Sequence, residues 1–343
     1  MTRQLEHSQI VPQLLARTRD LVEPALRAAI GTLADDRMRL IASYQMGWCD
    51  AEGNPTEPGG KAIRPALAIL SAEAAIGTSR FGLPAAVAVE LVHNFSLLHD
   101  DVMDRDLERR HRPTGWLVFG DGDAILAGNA MLTLAMQVLD ETGIEGRRSL
   151  PHILNATQLL ISGQSRDLWL EGRDGVSLQE VLDMEAGKTA ALLACATSVG
   201  ALAAGAPDTT VRALERFGHE LGIAFQLVDD VLGVVGDPAR TGKSSSSDVR
   251  AGKRSAPIVA ALTSDTPAGR QLAEMFAAGR HEDEDDVILA TGLIKESGGL
   301  DWAIQEAEAR LTRALDELAG HGLAEPAVSE LAAVAAYIVD RDR

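Results

Sequence analysis

The chain has 343 residues, 46% of them hydrophobic and 3% aromatic, with 32 basic against 50 acidic groups and a formal net charge of −18. That is apolar material for one large core or two ordinary ones, and the acidic balance argues against a nucleic-acid surface or a polybasic membrane patch while leaving room for a local cationic cleft. The two cysteines, Cys49 and Cys195, stand in unrelated contexts, which argues against a disulfide framework or zinc site and suits a reducing cytoplasm.

Ala and Leu dominate the long segments and β-branched runs are short, so the spacing and composition predict an all-α protein. The N-terminal stretch carries a charge every few residues and lacks the apolar region of an export signal. Positions 1–50 read as one or two amphipathic helices, and DAEGNPTEPGG, 50–60, as a loop. A helix starts near Arg64-Pro65 and its periodicity continues to about Gly120, with Val87, Leu91, Phe95 and Leu98 on one buried stripe. Further helices are predicted at 123–141, 150–171, 177–204 and 209–235. The uncharged stretch 189–206 nears the length of a bilayer span, but its Ala, Gly, Ser and Thr content predicts a buried helix and no integral membrane span. GDPARTGKSSSSDVRAGKR, 236–254, reads as a functional loop, and 255–343 returns to helix with turns near Gly298-Gly299 and Gly320. With no repeat and no linker, one domain over 1–343 is expected.

The chemistry concentrates in Asp100-Asp101-Val102-Met103-Asp104. On a helix Asp100 and Asp104 share a face about 6 Å apart along the axis, with Asp101 beside them. Three carboxylates this close call for a cation, and hard oxygen donors on a rigid element suit Mg²⁺, which shares its shell with substrate phosphates. A second pair, Asp229-Asp230, follows an apolar helical stretch. Basic residues come after each cluster: Arg109, Arg110 and Arg112 after the first, Lys243, Arg250, Lys253 and Arg254 after the second. Acid for metal and base for phosphate, twice over, is a layout for handling diphosphates. The acidic run 282–286 reads instead as a solvated helix start.

These motifs resemble the trans-isoprenyl diphosphate synthases, or polyprenyl synthetases, over about 59–253, and in particular the geranylgeranyl and farnesyl diphosphate synthases. The resemblance implies an all-α isoprenoid synthase bundle around a central active-site cavity, usually a homodimer. GGKAIRP, 59–65, is similar to the isopentenyl diphosphate site, with Gly60, Lys61 and Arg64 joined by His93; the family often has Arg where Ala62 stands. HDDVMDRDLERRHRPT, 99–114, matches the first aspartate-rich motif, which implies Asp100 and Asp104 as metal ligands supported by Asp101, Arg109 on the allylic diphosphate and Arg110 on the isopentenyl one. The glycine usual after that Arg pair is His111 here. Gln164 and Asp167 fit GQxxD, and Lys188-Thr189 fits the KT pair near the allylic diphosphate. FQLVDD, 225–230, resembles the second motif, with Gln226 lining the cavity and Asp229 on a further metal, but its fifth position is Gly233. Lys243 and Lys253 complete the diphosphate ligands.

The resemblance implies a cytoplasmic, Mg²⁺-dependent prenyltransferase, with three ions, that joins isopentenyl diphosphate to an allylic diphosphate head to tail (1′-4). A lone aromatic at Phe95 resembles synthases that stop at geranylgeranyl diphosphate (C20), with farnesyl diphosphate (C15) second. A terpene cyclase of the same fold would have no need of Lys61, Arg64 and His93; a non-catalytic partner subunit would tend to lose aspartates that this chain keeps; a di-iron carboxylate bundle would need Glu-x-x-His pairs facing one another, and no helical segment here carries such a pair opposite another.

Overall fold

The structure, a computed structural model, describes residues 2–56, 60, 62–236, 246–279 and 283–340. Its described residues are helical apart from one two-stranded hairpin, an isolated bridge and connecting turns. They fall into two compact units, one drawn from Met1–Thr157, Leu192–Glu215 and Leu318–Val334, the other from Gln158–Ala191, Arg216–Glu317 and Ala335–Arg343.

The first unit contains α1 (Thr2–Gly31), α2 (Asp36–Gln45), α3 (Ile63–Ile76), α4 (Leu83–Asp104), β1 (Glu108–Arg109), β2 (Arg112–Pro113), α5 (Gly115–Phe119) and α6 (Asp121–Glu141). The beginning of α7 (Ile144–Leu170) and most of α9 (Ala191–Ala203) also lie in it. Helix α4 packs against α3 and α6, and its stripe of Val87, Leu91, Phe95 and Leu98 is buried as the periodicity requires. Small residues set the spacing: a Cβ at Gly200 of α9 would come 2.9 Å from the carbonyl carbon of Ala68 in α3, so only glycine lets the backbones approach this closely.

The helix expected over 64–120 is broken twice. Gly77, at φ 77°, caps α3 with its N–H on the Glu73 carbonyl, the usual glycine exit from a helix. Arg105, at φ 57°, then ends α4 one residue after the aspartate motif. The chain continues into the hairpin β1–β2, in which Arg109 faces Arg112. Its two-residue turn is Arg110-His111, at φ 53° and 59°. Both central residues of such a turn must be left-handed, which accounts for the glycine usual at position 111. The hairpin is tied down by Arg112, whose guanidinium donates to the carbonyls of Tyr44 (3.2 Å) and Cys49 (2.6 Å) and stacks on the Tyr44 ring, while the Tyr44 hydroxyl donates to the Pro113 carbonyl.

The second unit holds the rest of α7, α8 (Leu178–Glu185), most of α10 (Asp208–Val235), α11 (Ser247–Arg250), α12 (Ala256–Leu262), α13 (Pro267–Ala277), α14 (Glu284–Glu296), α15 (Gly299–Glu317) and the end of α16 (Ala327–Asp340). Val249, Ile258, Leu272, Phe276, Val287 and Ile294 are among its core residues. A Ser177–Glu180 capping box starts α8, which runs into a π-helical turn, Ala186–Ala190, and then α9. The helix expected over 177–204 is therefore there, with one widened turn. By length and composition α6 and Leu178–Ala203 could cross a membrane, but 78% of the apolar window in the latter is buried in the protein, as the reading of 189–206 required. Asp283 to Asp286 stand at the start of α14, where Glu284 pairs with Arg250 at 2.7 Å; Glu282 lies outside the described residues.

Because a left-handed L-residue costs on the order of 1 kcal/mol that glycine avoids, His111→Gly is expected to stabilise the chain by about 1 kcal/mol. Urea unfolding reads this as a higher midpoint at unchanged slope.

Candidate active site

In the first unit, the last turn of α4 and the hairpin behind it bring opposite charges together. Asp101 is buried, 1% exposed, and its Oδ1 accepts from Arg109 at 2.6 Å, while Oδ2 meets no donor. Burial pushes the Asp101 carboxyl up, against the pull of Arg109. For Arg109 burial opposes the charge, but the Asp101 hydrogen bond and the Asp101, Asp106 and Asp100 carboxylates outweigh it and raise its pKa. Arg109 is thus the clamp that fixes Asp101. Asp100 and Asp104, partly exposed on the same helix, keep the one-face relation their spacing implies.

One and two turns upstream, α4 contributes to a cationic patch. Arg64 Nη1 donates to His93 Nε2 at 3.2 Å; since a guanidinium can only donate, Nε2 is the acceptor and His93 is neutral. Gly60 lies against Arg110: a Cβ there would be 3.1 Å from Nη1. Withdrawal from water lowers Arg64 to about 10, with Glu90 opposing and Arg110 assisting, so it stays charged at neutral pH. Gly60, Arg64, His93 and Arg110 are therefore neighbours, as the isopentenyl diphosphate motif implied. Lys61 lies outside the described residues.

Glu90 was not singled out from the sequence. Burial raises its pKa, and Arg110 and Arg64 pull it down; Asn94 Nδ2 donates to it at 2.9 Å. It is the counter-ion of the patch, and its position three residues before His93, on the same face of α4, was the signal available.

Phe95, 5% exposed, meets the His99 ring edge to face at 4.8 Å between centroids. His99 Nε2 bonds the Ile125 carbonyl at 3.0 Å, and its ring fills the space where a Cβ on Gly128 would stand. The Phe95 ring is thereby held in place.

In the second unit, Lys188 pairs with Asp167, and Thr189 begins a relay. Its hydroxyl donates to Gln226 Oε1 (2.7 Å), Gln226 Nε2 donates to Asp230 Oδ1 (2.8 Å), and Asp230 Oδ2 accepts from the Ala256 N–H (2.9 Å). Asp230 is committed to protein donors, while its neighbour Asp229 is partly exposed on α10. The π-turn that carries Lys188 and Thr189 lies on α7 at Gly163, where a Cβ would come 2.7 Å from Lys188 Cα; such turns recur at functional sites. Gln164 is 4% exposed and neither end of its amide meets a partner. Glu185, 1% exposed, meets no donor either, and its carboxyl adjoins that of Asp230. Burial and then Asp230 hold Glu185 well above the usual carboxylate range. Sequence reasoning missed Glu185.

Three basic residues expected at the diphosphates do other work. Arg112 anchors the hairpin, Arg250 pairs with Glu284, and Arg254 donates to the Arg173 and Gly252 carbonyls. Lys253 sits just after α11, its N–H on the Asp248 carbonyl; Lys243 lies outside the described residues. Among the described residues no three His, Cys, Asp or Glu side chains stand ready to hold a metal ion by themselves. The donors at hand, carboxylate oxygens, fit a hard cation that shares its shell with substrate and water.

An all-helical chain with two aspartate-rich motifs, each accompanied by cationic side chains, is a prenyl diphosphate enzyme in its architecture. The chain belongs to the polyprenyl synthetase family, whose model matches residues 51–293. It is 45% identical to a (2E,6E)-farnesyl diphosphate synthase of Mycobacterium tuberculosis, over 96% of this chain and 92% of that one. It is 42% identical to a geranylgeranyl diphosphate synthase of the same organism, over 89% and 88%. A solved polyprenyl synthetase of Streptomyces coelicolor superposes with a TM-score of 0.91 at 46% identity, covering 96% of this chain and 99% of that one. The chain is a prenyltransferase of the short-chain trans-prenyl diphosphate synthase type.

His93 lends itself to a test of the patch. Burial, then the Arg64, Arg110 and Arg109 charges, hold it well below its ordinary range. The unfolded chain takes up a proton there below about pH 6.5, where the folded chain does not. Stability from the neutral ring is full above that pH and falls as the pH drops toward the folded pKa. His93→Gln should remove up to about 1.4 kcal/mol per pH unit of slope just below pH 6.5, measured by urea unfolding across a pH series.

Proposed function

We propose that the chain performs the head-to-tail (1′-4) condensation of isopentenyl diphosphate with an allylic diphosphate, with geranylgeranyl diphosphate as its main product. The observation that carries this reading is the pairing, within one unit, of the aspartates of α4 with the Arg64–His93–Arg110 patch. A terpene cyclase has no second diphosphate to bind and no use for that patch, and a partner subunit has no use for an intact first motif.

Asp100 and Asp104 on α4 and Asp229 on α10 would hold Mg²⁺, three ions in our reading. When bound, these neutralise the diphosphate and stabilise pyrophosphate as it leaves. Arg109, hydrogen-bonded to Asp101, holds that side chain beside the metal-binding carboxylates and is the cation for the allylic diphosphate. Arg64, Arg110 and neutral His93 bind the isopentenyl diphosphate, with Lys61, Lys243 and Lys253 as further cations. The allylic C–O bond breaks with its electron pair going to pyrophosphate. The alkene of isopentenyl diphosphate then forms the new C–C bond, and a proton leaves to a pyrophosphate oxygen. Lys188 and the Thr189–Gln226 hydrogen bond present polar groups to the allylic end, and the apolar lining must keep water from the cation.

Chain length is assigned to Phe95. It stands five residues before Asp100 on α4 and is pinned by His99, which suits a rigid floor for a C20 product. The 45% identity to a farnesyl synthase favours C15 as the second reading. We further infer a homodimer, from the exposed Ile125 and Leu126 on α6 and Ile144, Leu154 and Trp169 on α7, and a cytoplasmic location, from two buried free cysteines.

The test is product analysis after phosphatase treatment, with Mg²⁺, labelled isopentenyl diphosphate and dimethylallyl, geranyl or farnesyl diphosphate in turn. Labelled C20 alcohol is expected; C15 as the end point would select the second reading, and no labelled linear product would reject the synthase. Phe95→Ala is expected to shift the product beyond C20, and an unchanged product length would remove Phe95 from that role.

A further inference from the structure

The N-terminal helix carries none of the motifs, yet one of its side chains reaches the cationic patch. Arg19 of α1 donates from Nη2 to the Gly60 carbonyl at 2.9 Å. On its other side Gly60, at φ 104°, lies against Arg110: a Cβ there would stand 3.1 Å from Nη1 and 3.3 Å from Cζ. One residue of backbone is thus held between two guanidinium groups. Only glycine suits the place, because an L-residue avoids that backbone conformation and a methyl group would press on Arg110.

The partners of Arg19 set it apart from the other arginines of α1. Arg17 pairs with Glu73 at 3.3 Å and Glu330 at 2.9 Å, and Arg27 pairs with Glu23 at 2.7 Å. Among the described residues Arg19 has no carboxylate partner, although the chain holds 50 acidic groups against 32 basic ones. A guanidinium has five N–H donors in a planar fork, and a single carbonyl neither occupies the fork nor neutralises the charge. Arg19 is also partly exposed, so the rest of the fork is open to a solute.

That open charge stands beside two others. The Gly60 carbonyl and Cα adjoin, so the Arg19 and Arg110 charges lie within about 10 Å of each other, roughly one screening length at about 0.1 M salt. Arg64 in turn feels Arg110 as a like charge, and Glu90 is the carboxylate acting on both. Three guanidinium groups around one carboxylate leave an excess of positive charge, and guanidinium forks match phosphate oxygens.

We infer that Arg19 is a positioning residue of the isopentenyl diphosphate site. Its hydrogen bond sets the Gly60 carbonyl and so keeps that backbone against Arg110, and its charge joins those of Arg64 and Arg110 in drawing the diphosphate. The inference rests on the reading of the patch as the isopentenyl diphosphate site and extends that site to the N-terminal helix.

The test has two arms: KM for isopentenyl diphosphate at saturating geranyl diphosphate and Mg²⁺, and calorimetric binding of inorganic pyrophosphate without metal, which needs no turnover. Arg19→Gln is expected to raise that KM about tenfold, the loss of one charge-assisted contact, and to weaken pyrophosphate binding by a similar factor. Arg19→Lys, which keeps the charge but not the fork, should fall between Arg19→Gln and wild type. The KM for geranyl diphosphate, kcat and the thermal melt should stay unchanged in both. Arg17→Gln removes the same charge from the same helix and should leave both arms at wild-type values. A KM for isopentenyl diphosphate that is unchanged in Arg19→Gln, that rises no more than in Arg17→Gln, or that rises together with the KM for geranyl diphosphate would overturn the inference. A wild-type chain that binds pyrophosphate but joins isopentenyl diphosphate to no allylic primer would instead overturn the functional reading, and the calorimetric arm would still decide whether Arg19 serves an anion site.

Discussion

Groups of like charge withdrawn from water must be answered by something of opposite sign, and the candidate site residues of each unit are arranged around that constraint. In the first unit Arg64 and Arg110 share one half-buried carboxylate, Glu90, with His93 kept neutral among them. In the second, Asp230, Asp248 and Glu185 gather with few cations of their own. Full internal neutralisation would be more stable in isolation, because unpaired charge in a poorly hydrated place is costly. The unmet charge is what binds: the cationic patch favours an anion, and the carboxylates favour a cation that brings an anion with it.

The rest of the local structure keeps those charges apart and in place. Arg109 is drawn to Asp101 rather than to Glu90, because the left-handed hairpin turn points successive arginines of the Arg109-Arg110 pair to different partners. Arg112 gives up its charge-binding capacity to hold that hairpin to the end of α2. The Thr189–Gln226–Asp230 relay plays the corresponding part in the second unit. It ends on a backbone N–H at the start of α12, so the orientation of a motif aspartate is referred to the fold itself rather than to another mobile side chain.

Much of this was legible in the sequence because it is periodic or local. Helical spacing identified the fold class and the buried stripe of α4, and the two aspartate clusters declared their chemistry by crowding. The breaks were harder. Arg105 ends α4 in a left-handed conformation that an arginine does not advertise, so a single helix was expected to run through the hairpin. Arg112, Arg250 and Arg254 look like Arg109 in the sequence, and only their carbonyl and carboxylate partners separate anchors from ligand-binding groups. Glu90 and Glu185 were illegible for the opposite reason. Each shares its helix with other acids, and its meaning depends on residues far away in the chain that fold against it.

The widened turn at Ala186–Ala190 bears on how this protein can change over evolutionary time. A π-turn holds one residue more than an α-turn and so has already absorbed one extra residue, whereas inserting a further residue there would rotate everything downstream by about 100° about the helix axis. Helix α9 is buried on all sides, and its contact with α3 depends on Gly200 meeting the Ala68 carbonyl. Such a rotation would bring a bulkier neighbour to that crossing. The segment bearing Lys188 and Thr189 should therefore tolerate substitutions far more readily than further insertions. The length of this stretch is limited by a helix crossing twelve residues beyond Lys188, not by the reaction it serves.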